Sequence, residues 1–192
     1  EEWKHNKCEG NEGLNNQWYQ LAWIESHYDD LSTVYIPHCN KELPSSKAKN
    51  PAEWFFIRLP DLPYHPQSHE YSIEFEGVNF SSSVWINEHK LGDVLGGTFR
   101  TRLRFPPEIL SIRESNYLTV RTNQIRTKKD FPLHKIKRKQ CLGIFRKIQL
   151  LILEKTRIKS IKVRTELPNP NGKKAVIKVN FIIKNPQEFL DR

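Results

Sequence analysis

Apolar and polar residues alternate along much of this chain with a period of two, which is the period of a half-buried β-strand. In residues 71–76, with the sequence Tyr-Ser-Ile-Glu-Phe-Glu, every second side chain is apolar. Residues 84–86, Val-Trp-Ile, are apolar throughout, which predicts a strand covered on both faces. Residues 87–90 follow as a predicted hairpin turn, because Asn87 tolerates a positive φ.

The same alternation returns in short segments between proline and glycine residues, which break strands. Phe99, Thr101, Leu103 and Phe105 share one face and three arginines take the other, so we expect one face to be buried. Further strands are predicted at 31–38, 54–59, 117–122 and 143–153. Short strands recurring in this way predict an all-β fold, an antiparallel jelly-roll β-sandwich with little helix.

The first 33 residues show no sustained period. They hold Trp3, Trp18, Tyr19, Trp23 and Tyr28 among polar residues. Aromatic rings scattered in this way either supply core area or line a sugar site, where pyranose faces stack on rings. We favour the first interpretation, a mostly irregular segment whose aromatic side chains dock at the edge of the sandwich core.

A domain boundary is predicted at residues 154–156. Beyond it, residues 158–167 and 174–184 alternate again and are joined by the turn-rich residues 168–172. A two-stranded hairpin is marginal on its own, so these strands need further strands or the first domain to cover them.

Several motifs between residues 3 and 155 occur together in one order. The central motif contains Phe75, Gly77, Val78, Val84, Trp85, Asn87, Gly92, Gly96 and Gly97, with residues 34–38 and 54–58 upstream and Gly-Ile-Phe-Arg at 143–146 downstream. In this order the motifs resemble the N-terminal sugar-binding domain of glycoside hydrolase family 2, which includes β-galactosidases, β-glucuronidases and β-mannosidases.

The resemblance implies a galactose-binding-domain-like jelly roll at residues 1–155 and the truncated start of an immunoglobulin-like β-sandwich at 156–192. It implies that both catalytic glutamates belong to a downstream barrel domain, so no catalytic residue is expected here. The barrel and immunoglobulin-like domains of a parent chain are then the expected partners, with a homo-oligomer possible. Structural roles are implied for the motif residues Trp85, Asn87, Gly92, Gly96, Gly97, Gly143 and Arg146.

Charge adds one feature to this picture. The 192 residues carry a formal net charge of +9, and much of it is clustered in Arg126, Lys128, Lys129, Lys135, Lys137, Arg138 and Lys139. Such a cluster suits an anionic sugar, a nucleic acid or an acidic protein surface. Without a nucleic-acid motif, we favour a mobile loop that an acidic partner domain orders, and we expect neither nucleic-acid nor membrane binding.

The same loop contains the candidate sugar contacts. Some family members lend an Asp and a Trp to the active-site rim just before the Gly-Ile-Phe-Arg motif, where this chain has residues 137–142, Lys-Arg-Lys-Gln-Cys-Leu. The Asp contact therefore has no counterpart, and Lys137, Arg138 and Lys139 become the candidate carbohydrate-binding residues. A basic rim of this kind would suit a uronate.

Other candidate chemistry is sparse. Glu74, Glu76, Glu108 and Glu114 are interpreted as mostly solvent-facing, since none has a recognisable catalytic setting. His38 and His89 lack partners at metal-ligand spacing, so no metal or cofactor is predicted. The three cysteines, Cys8, Cys39 and Cys141, are interpreted as buried or idle thiols.

Two functions of different classes remain. The chain is either a non-catalytic accessory domain of a family 2 β-glycosidase or a stand-alone module that binds a carbohydrate or polyanion. Trp85 is interpreted as a core residue rather than a sugar platform, because it lies mid-strand between two apolar residues. Localisation stays open, with a secreted or periplasmic protein slightly favoured.

Overall fold

The computed structural model describes residues 1–39, 51–79, 81–95, 97, 99–123, 143–167, 172 and 174–185. The fold is an all-β sandwich of antiparallel sheets, as predicted. Its strands, in chain order, are β1 (Glu2–Cys8), β2 (Ser32–Tyr35), β3 (Ala52–Arg58), β4 (His69–Phe75), β5 (Ser81–Ile86), β6 (His89–Leu95), β7 (Thr101–Phe105), β8 (Tyr117–Asn123), β9 (Ile148–Glu154), β10 (Arg157–Glu166) and β11 (Val176–Lys184).

Two of the sheets form the layers of the sandwich. The larger has six strands in the order β2-β1-β3-β8-β5-β6, and the smaller has the order β7-β4-β9. The predicted apolar face of β4 is buried, since Tyr71, Ile73 and Phe75 are each at most 1% exposed. They pack in one core with Phe55 and Val84 of the opposite sheet. The hairpin turn also forms as predicted, with Asn87 at a φ of 52° between β5 and β6.

The N-terminal segment is more regular than predicted. It contributes β1 and β2 to the edge of the larger sheet, and between them it forms α1 (Glu12–Asn15), α2 (Leu21–His27) and a 3₁₀ turn (Tyr28–Asp30). β2 falls within the strand predicted at 31–38, whereas α1 and the 3₁₀ turn are too short to show a period and β1 carries few apolar residues. Among the described residues α2 is the longest helix, with seven residues, and no helix has the length and apolarity to cross a bilayer.

The helical segment covers the outer face of the six-stranded sheet. There it builds a second core, the aromatic layer, from Trp18, Tyr19, Trp23, Trp54, Phe56, Trp85 and Tyr117. Trp85 is 5% exposed and stacks on Tyr19 at 5.3 Å between ring centroids and on Trp54 at 5.6 Å. Trp85 is therefore a core residue, as expected, and the helices rather than the second sheet bury it.

Two predictions are wrong: that Glu74 faces solvent, and that Phe99 lies on a buried strand face with Leu103 and Phe105. Glu74 is 4% exposed, because β7 and β9 flank its strand and Arg102 covers it. The Arg102 Nε donates to the Glu74 Oε2 at 3.0 Å. Phe99 precedes β7 and is 56% exposed. Alternation holds only while the chain stays in a strand, and β7 begins two residues later. Glu108 and Glu114 are exposed as expected.

A separate two-stranded sheet pairs β10 with β11. We call it the hairpin. Its large apolar side chains are exposed, among them Ile161 at 59%, Ile177 at 65% and Phe181 at 59%. Its tie to the sandwich is Glu70 of β4, which accepts hydrogen bonds from Arg157 and Lys184. The hydrogen bond from Lys184 contributes most to lowering the pKa of Glu70, and the one from Arg157 lowers it further.

The cysteines differ from one another. Cys8 is a free, buried thiol, as predicted. Cys39 is bonded in a disulfide, so the prediction of idle thiols is wrong for this residue. Spacing gave no indication of it, because disulfide partners are selected by proximity in the fold. Cys141 lies outside the described residues.

Candidate functional site

The motif segments that carry the family resemblance meet at one end of the sandwich. We call this region the motif end and define it by residues 36–38, 77–79, 97 and 143–146. The amide of Asn79 donates to the carbonyl of Gly143 at 3.0 Å, and the amide of Arg146 donates to the carbonyl of Gly77 at 3.2 Å. The amide of His38 donates to the carbonyl of Ile144 at 2.7 Å. Segments far apart in sequence are thus stitched together by backbone hydrogen bonds.

Glycine is required at this end by close packing. A Cβ on Gly97 would lie 1.6 Å from the Oδ1 of Asn79, and one on Gly77 would lie 2.8 Å from the Phe145 ring. Gly143 has a φ of 93°, which side chains rarely adopt. These contacts give the glycine positions of the motif a packing role. Arg146, by contrast, is exposed, with its guanidinium 5.8 Å from the centroid of the Phe145 ring.

Asn87 organises the opposite end of the sandwich. Its side-chain Nδ2 donates to the carbonyl of Ile109 at 2.8 Å and to the Oδ1 of Asn116 at 3.0 Å. Its Oδ1 accepts from the amide of Tyr117 at 3.0 Å. Gly92, with a φ of 149°, lies beside the irregular register at Val84 and Trp85 of β5. Both residues shape the β5–β6 hairpin.

Next to the motif end, three ionisable side chains converge at the border of the main core. His5 of β1 is 5% exposed and Glu53 of β3 is 0% exposed, while His38 is half-buried. The His5 Nε2 lies 3.8 Å from the Glu53 Oε1, and the two imidazole centroids are 5.4 Å apart. Each histidine ring packs on Phe55, at 5.0 Å and 5.7 Å. We call these three residues the His-His-Glu cluster.

Burial sets the charge state of the cluster. It lowers the pKa of His5 to about 4, with smaller contributions from His38 and Lys7. His5 is therefore a neutral imidazole at neutral pH. The Lys7 ammonium lies 3.6 Å from the Glu53 Oε1, with its side chain 56% exposed.

The prediction that His38 lacks partners at metal-ligand spacing is wrong. Its partners lie 33 and 15 positions away in sequence, at residues 5 and 53, and the fold brings them within reach. Strand register alone places His5 opposite Phe55, two residues from Glu53 on the same face. One sequence signal pointed that way, since Trp3 and His5 alternate on one face of a short strand. His89 is exposed at the start of β6, as expected.

Buried carboxyl groups are few in the described part of the chain. Of the acids there, Glu53 and Glu74 are buried, and each lies beside a cation rather than a cleft. A cavity of about 390 Å³ opens between the sheets, lined mainly by apolar residues such as Trp3, Ile57 and Leu118. Such a lining offers few partners for sugar hydroxyls. Gly96, the cluster at 126–139 and the rim candidates Lys137, Arg138 and Lys139 lie outside the described residues.

The sequence by itself matches no family model and no curated protein. The structure matches many solved chains. A β-glucuronidase from an uncultured Clostridium species superposes with a TM-score of 0.69 and 17% identity, over 97% of this chain and 33% of its own. One from Ruminococcus gnavus gives 0.68 and 15%, over 96% and 32%. A β-glucuronidase of glycoside hydrolase family 2 gives 0.70 and 21%, over 96% and 21%.

The chain has the fold of one part of this glycoside hydrolase family 2 protein. The resemblance indicated by the sequence motifs is thereby confirmed at the level of the fold. Almost the whole chain takes part in each superposition, whereas the chain spans a third or less of the length of these family 2 proteins. What they share with it is one part of a larger, multidomain architecture.

Proposed function

We propose that residues 1–155 are a non-catalytic sugar-binding domain of the jelly-roll class, belonging to a β-glycosidase of family 2. Residues 156–192 begin an immunoglobulin-like domain of the same protein. The observation that carries the proposal is the superposition of 96–97% of this chain on 21–33% of three β-glucuronidases. The order of the glycine-containing motifs, which resembles that of family 2 and packs together at the motif end, supports the same assignment.

The hairpin supports the division into two domains. Its apolar side chains are exposed on both faces, Ile161 and Ile177 on one and Ile182 on the other. A soluble protein seldom leaves so much apolar strand surface uncovered. Further strands of an immunoglobulin-like sandwich would cover it.

The carboxylates support a non-catalytic role. Glycoside hydrolysis uses two carboxyl groups across the scissile bond, about 5 Å apart for retention and up to about 9.5 Å for inversion. Glu74 is neutralised by Arg102, with the Nη2 and Oε2 atoms 2.5 Å apart, and is closed off from solvent. Catalysis would come from a downstream barrel domain, which acts on an O-glycosidic bond of a β-linked sugar.

The test compares residues 1–192 with the full reading frame from which they come. We expect residues 1–192 to leave aryl β-glucuronides and β-galactosides intact, and the longer protein to hydrolyse one of them. Turnover by residues 1–192 alone would contradict the non-catalytic assignment. A stop codon directly after Arg192 would contradict the accessory role and favour a stand-alone binding module.

Binding measurements separate the two classes further. Titration of residues 1–192 with glucuronate, galactose and heparin, at low salt and at about 0.5 M salt, distinguishes charge-driven docking from sugar recognition. For an accessory domain we expect feeble monosaccharide binding and salt-sensitive heparin binding. Tight, salt-insensitive binding of a neutral monosaccharide would assign a lectin-like function instead.

A further inference from the structure

We propose that the His-His-Glu cluster is a binding site for a divalent transition-metal cation, with Zn²⁺ the best match. Its ligand atoms, one from each of His5, His38 and Glu53, all lie within 4.8 Å of one another. Two imidazoles and a carboxylate are a donor set that Zn²⁺ accepts, with a fourth position left for water or another ligand.

The ring nitrogens of the two histidines are placed to act as metal ligands. The Nε2 atoms of His5 and His38 are buried, and neither has a hydrogen-bond partner among the described residues. On the other side of the ring, the His5 Nδ1 lies 3.5 Å from the Ser32 hydroxyl. A proton held at Nδ1 would leave the Nε2 lone pair directed at the cluster, which is how an outer hydrogen bond selects the tautomer of a metal-bound histidine.

The charges also favour a cation. Glu53 is a fully buried carboxyl group at the border of an apolar core. Its neighbour Lys7 is more than half exposed and extends from the end of β1, so its ammonium is free to turn into solvent. A divalent ion held by neutral imidazoles would compensate the carboxylate from the inner side.

The remaining distance is small enough for side-chain rotation to close. Ligands about 2.0–2.1 Å from a tetrahedral ion lie roughly 3.4 Å from one another, so the widest separation of 4.8 Å must contract. Gly143 leaves room for this movement, since a Cβ there would lie 3.2 Å from the Glu53 Oε2 and 3.4 Å from the His38 carbonyl. The ion would tie β1 and β3 to the 36–38 segment of the motif end.

The test uses untagged protein, treated with a chelator and then dialysed without thiol reductants so that the disulfide at Cys39 is kept. Titration with Zn²⁺ is followed by calorimetry and by thermal unfolding. We expect one equivalent to bind. At a free Zn²⁺ concentration about 100 times Kd, the unfolding midpoint should rise by about 5–10 °C. Co²⁺ in the same site should show the visible absorption of a tetrahedral complex.

The informative variant is His38→Gln, which removes a ligand from a half-buried position and leaves the core intact. We expect it to lose more than about 100-fold in Zn²⁺ affinity while keeping the circular dichroism of the parent. The matched control is His65→Gln combined with His69→Gln, since these two rings lie 5.3 Å apart and offer a competing surface site. Its Zn²⁺ affinity should match that of the parent.

Three results would overturn the proposal. They are no stoichiometric uptake of Zn²⁺, unchanged affinity in His38→Gln, and loss of affinity in the His65 and His69 control.

Discussion

The sandwich and the hairpin are built from strands of similar character, yet only one of them hides its apolar side chains. In β4, Ser72 to Phe75 are buried, and even the polar members of that run are covered. In β11, the first seven residues are exposed, although they include Phe181 and Ile177. Alternation therefore specifies that a segment forms a strand, and neighbouring elements decide whether the strand is buried.

The largest expected effect is a difference between two phenylalanines. Phe56→Ala removes a ring that is 0% exposed in the aromatic layer, and Phe181→Ala removes one that is 59% exposed on the hairpin. We expect the first to lower the free energy of unfolding by about 3–5 kcal/mol and the second by less than about 0.5 kcal/mol. Urea unfolding followed by circular dichroism measures both. Equal effects would show that a partner covers the hairpin in solution.

Two asparagines in the left-handed region sharpen the same comparison. Asn87 in the sandwich has a φ of 52° and Asn185 at the end of the hairpin has a φ of 51°. Alanine at either position carries the backbone cost, but only Asn87→Ala also removes the acceptor of the Tyr117 amide and the side-chain donor to the Ile109 carbonyl. We expect losses of about 2–3 kcal/mol at Asn87 and about 1 kcal/mol at Asn185. Asn87→Gly, which relieves the backbone alone, should recover about 1 kcal/mol.

Acid should act on the sandwich through His5. Its pKa in the folded protein is about 4, against about 6.5 in the unfolded chain. Between these two pKa values the unfolded chain binds more protons than the folded protein. The free energy of unfolding therefore rises with pH across this range and falls when the solution is acidified. Lowering the pH from about 6.5 to about 5 should decrease the free energy of unfolding by about 2 kcal/mol. With a chelator present, His5→Gln should show a correspondingly flatter pH dependence, and an unchanged slope would contradict this account.

The smallest effect concerns the tie between the two regions. Glu70→Gln weakens the contacts to Arg157 and Lys184, and partly exposed ion pairs contribute about 0–1 kcal/mol. We expect faster hydrogen exchange in β10 and β11 with little change in β4. The lowered pKa of Glu70 gives the same tie a pH dependence, present above the usual carboxyl range and lost as the pH falls through the folded value. Equal acceleration in both regions would mean that Glu70 stabilises the sandwich instead.

Much of the fold was accessible from the sequence because strand period and turn chemistry are local properties. The alternation of Tyr71, Ile73 and Phe75 with polar residues predicted β4, and the residue type of Asn87 predicted its positive φ. Burial of Glu74 was not accessible, since it depends on an arginine 28 positions away. The cluster of His5, His38 and Glu53 was missed for the same reason. Its members become neighbours only through the register of β1 on β3 and the course of the chain after β2.

The aromatic layer also determines what tryptophan fluorescence and circular dichroism measure in this protein. Of the five tryptophans, Trp3 belongs to the main core, and the other four lie in the layer. Within it the Trp18 and Trp23 rings are 5.0 Å apart, and Trp54 is 5.6 Å from Trp85. Indoles at such separations share their excited states, which produces a split circular-dichroism band and rapid transfer of excitation among them. Intrinsic fluorescence will therefore respond mainly to the separation of α1 and α2 from the outer face of the six-stranded sheet. It will respond much less to changes in the main core between the two sheets.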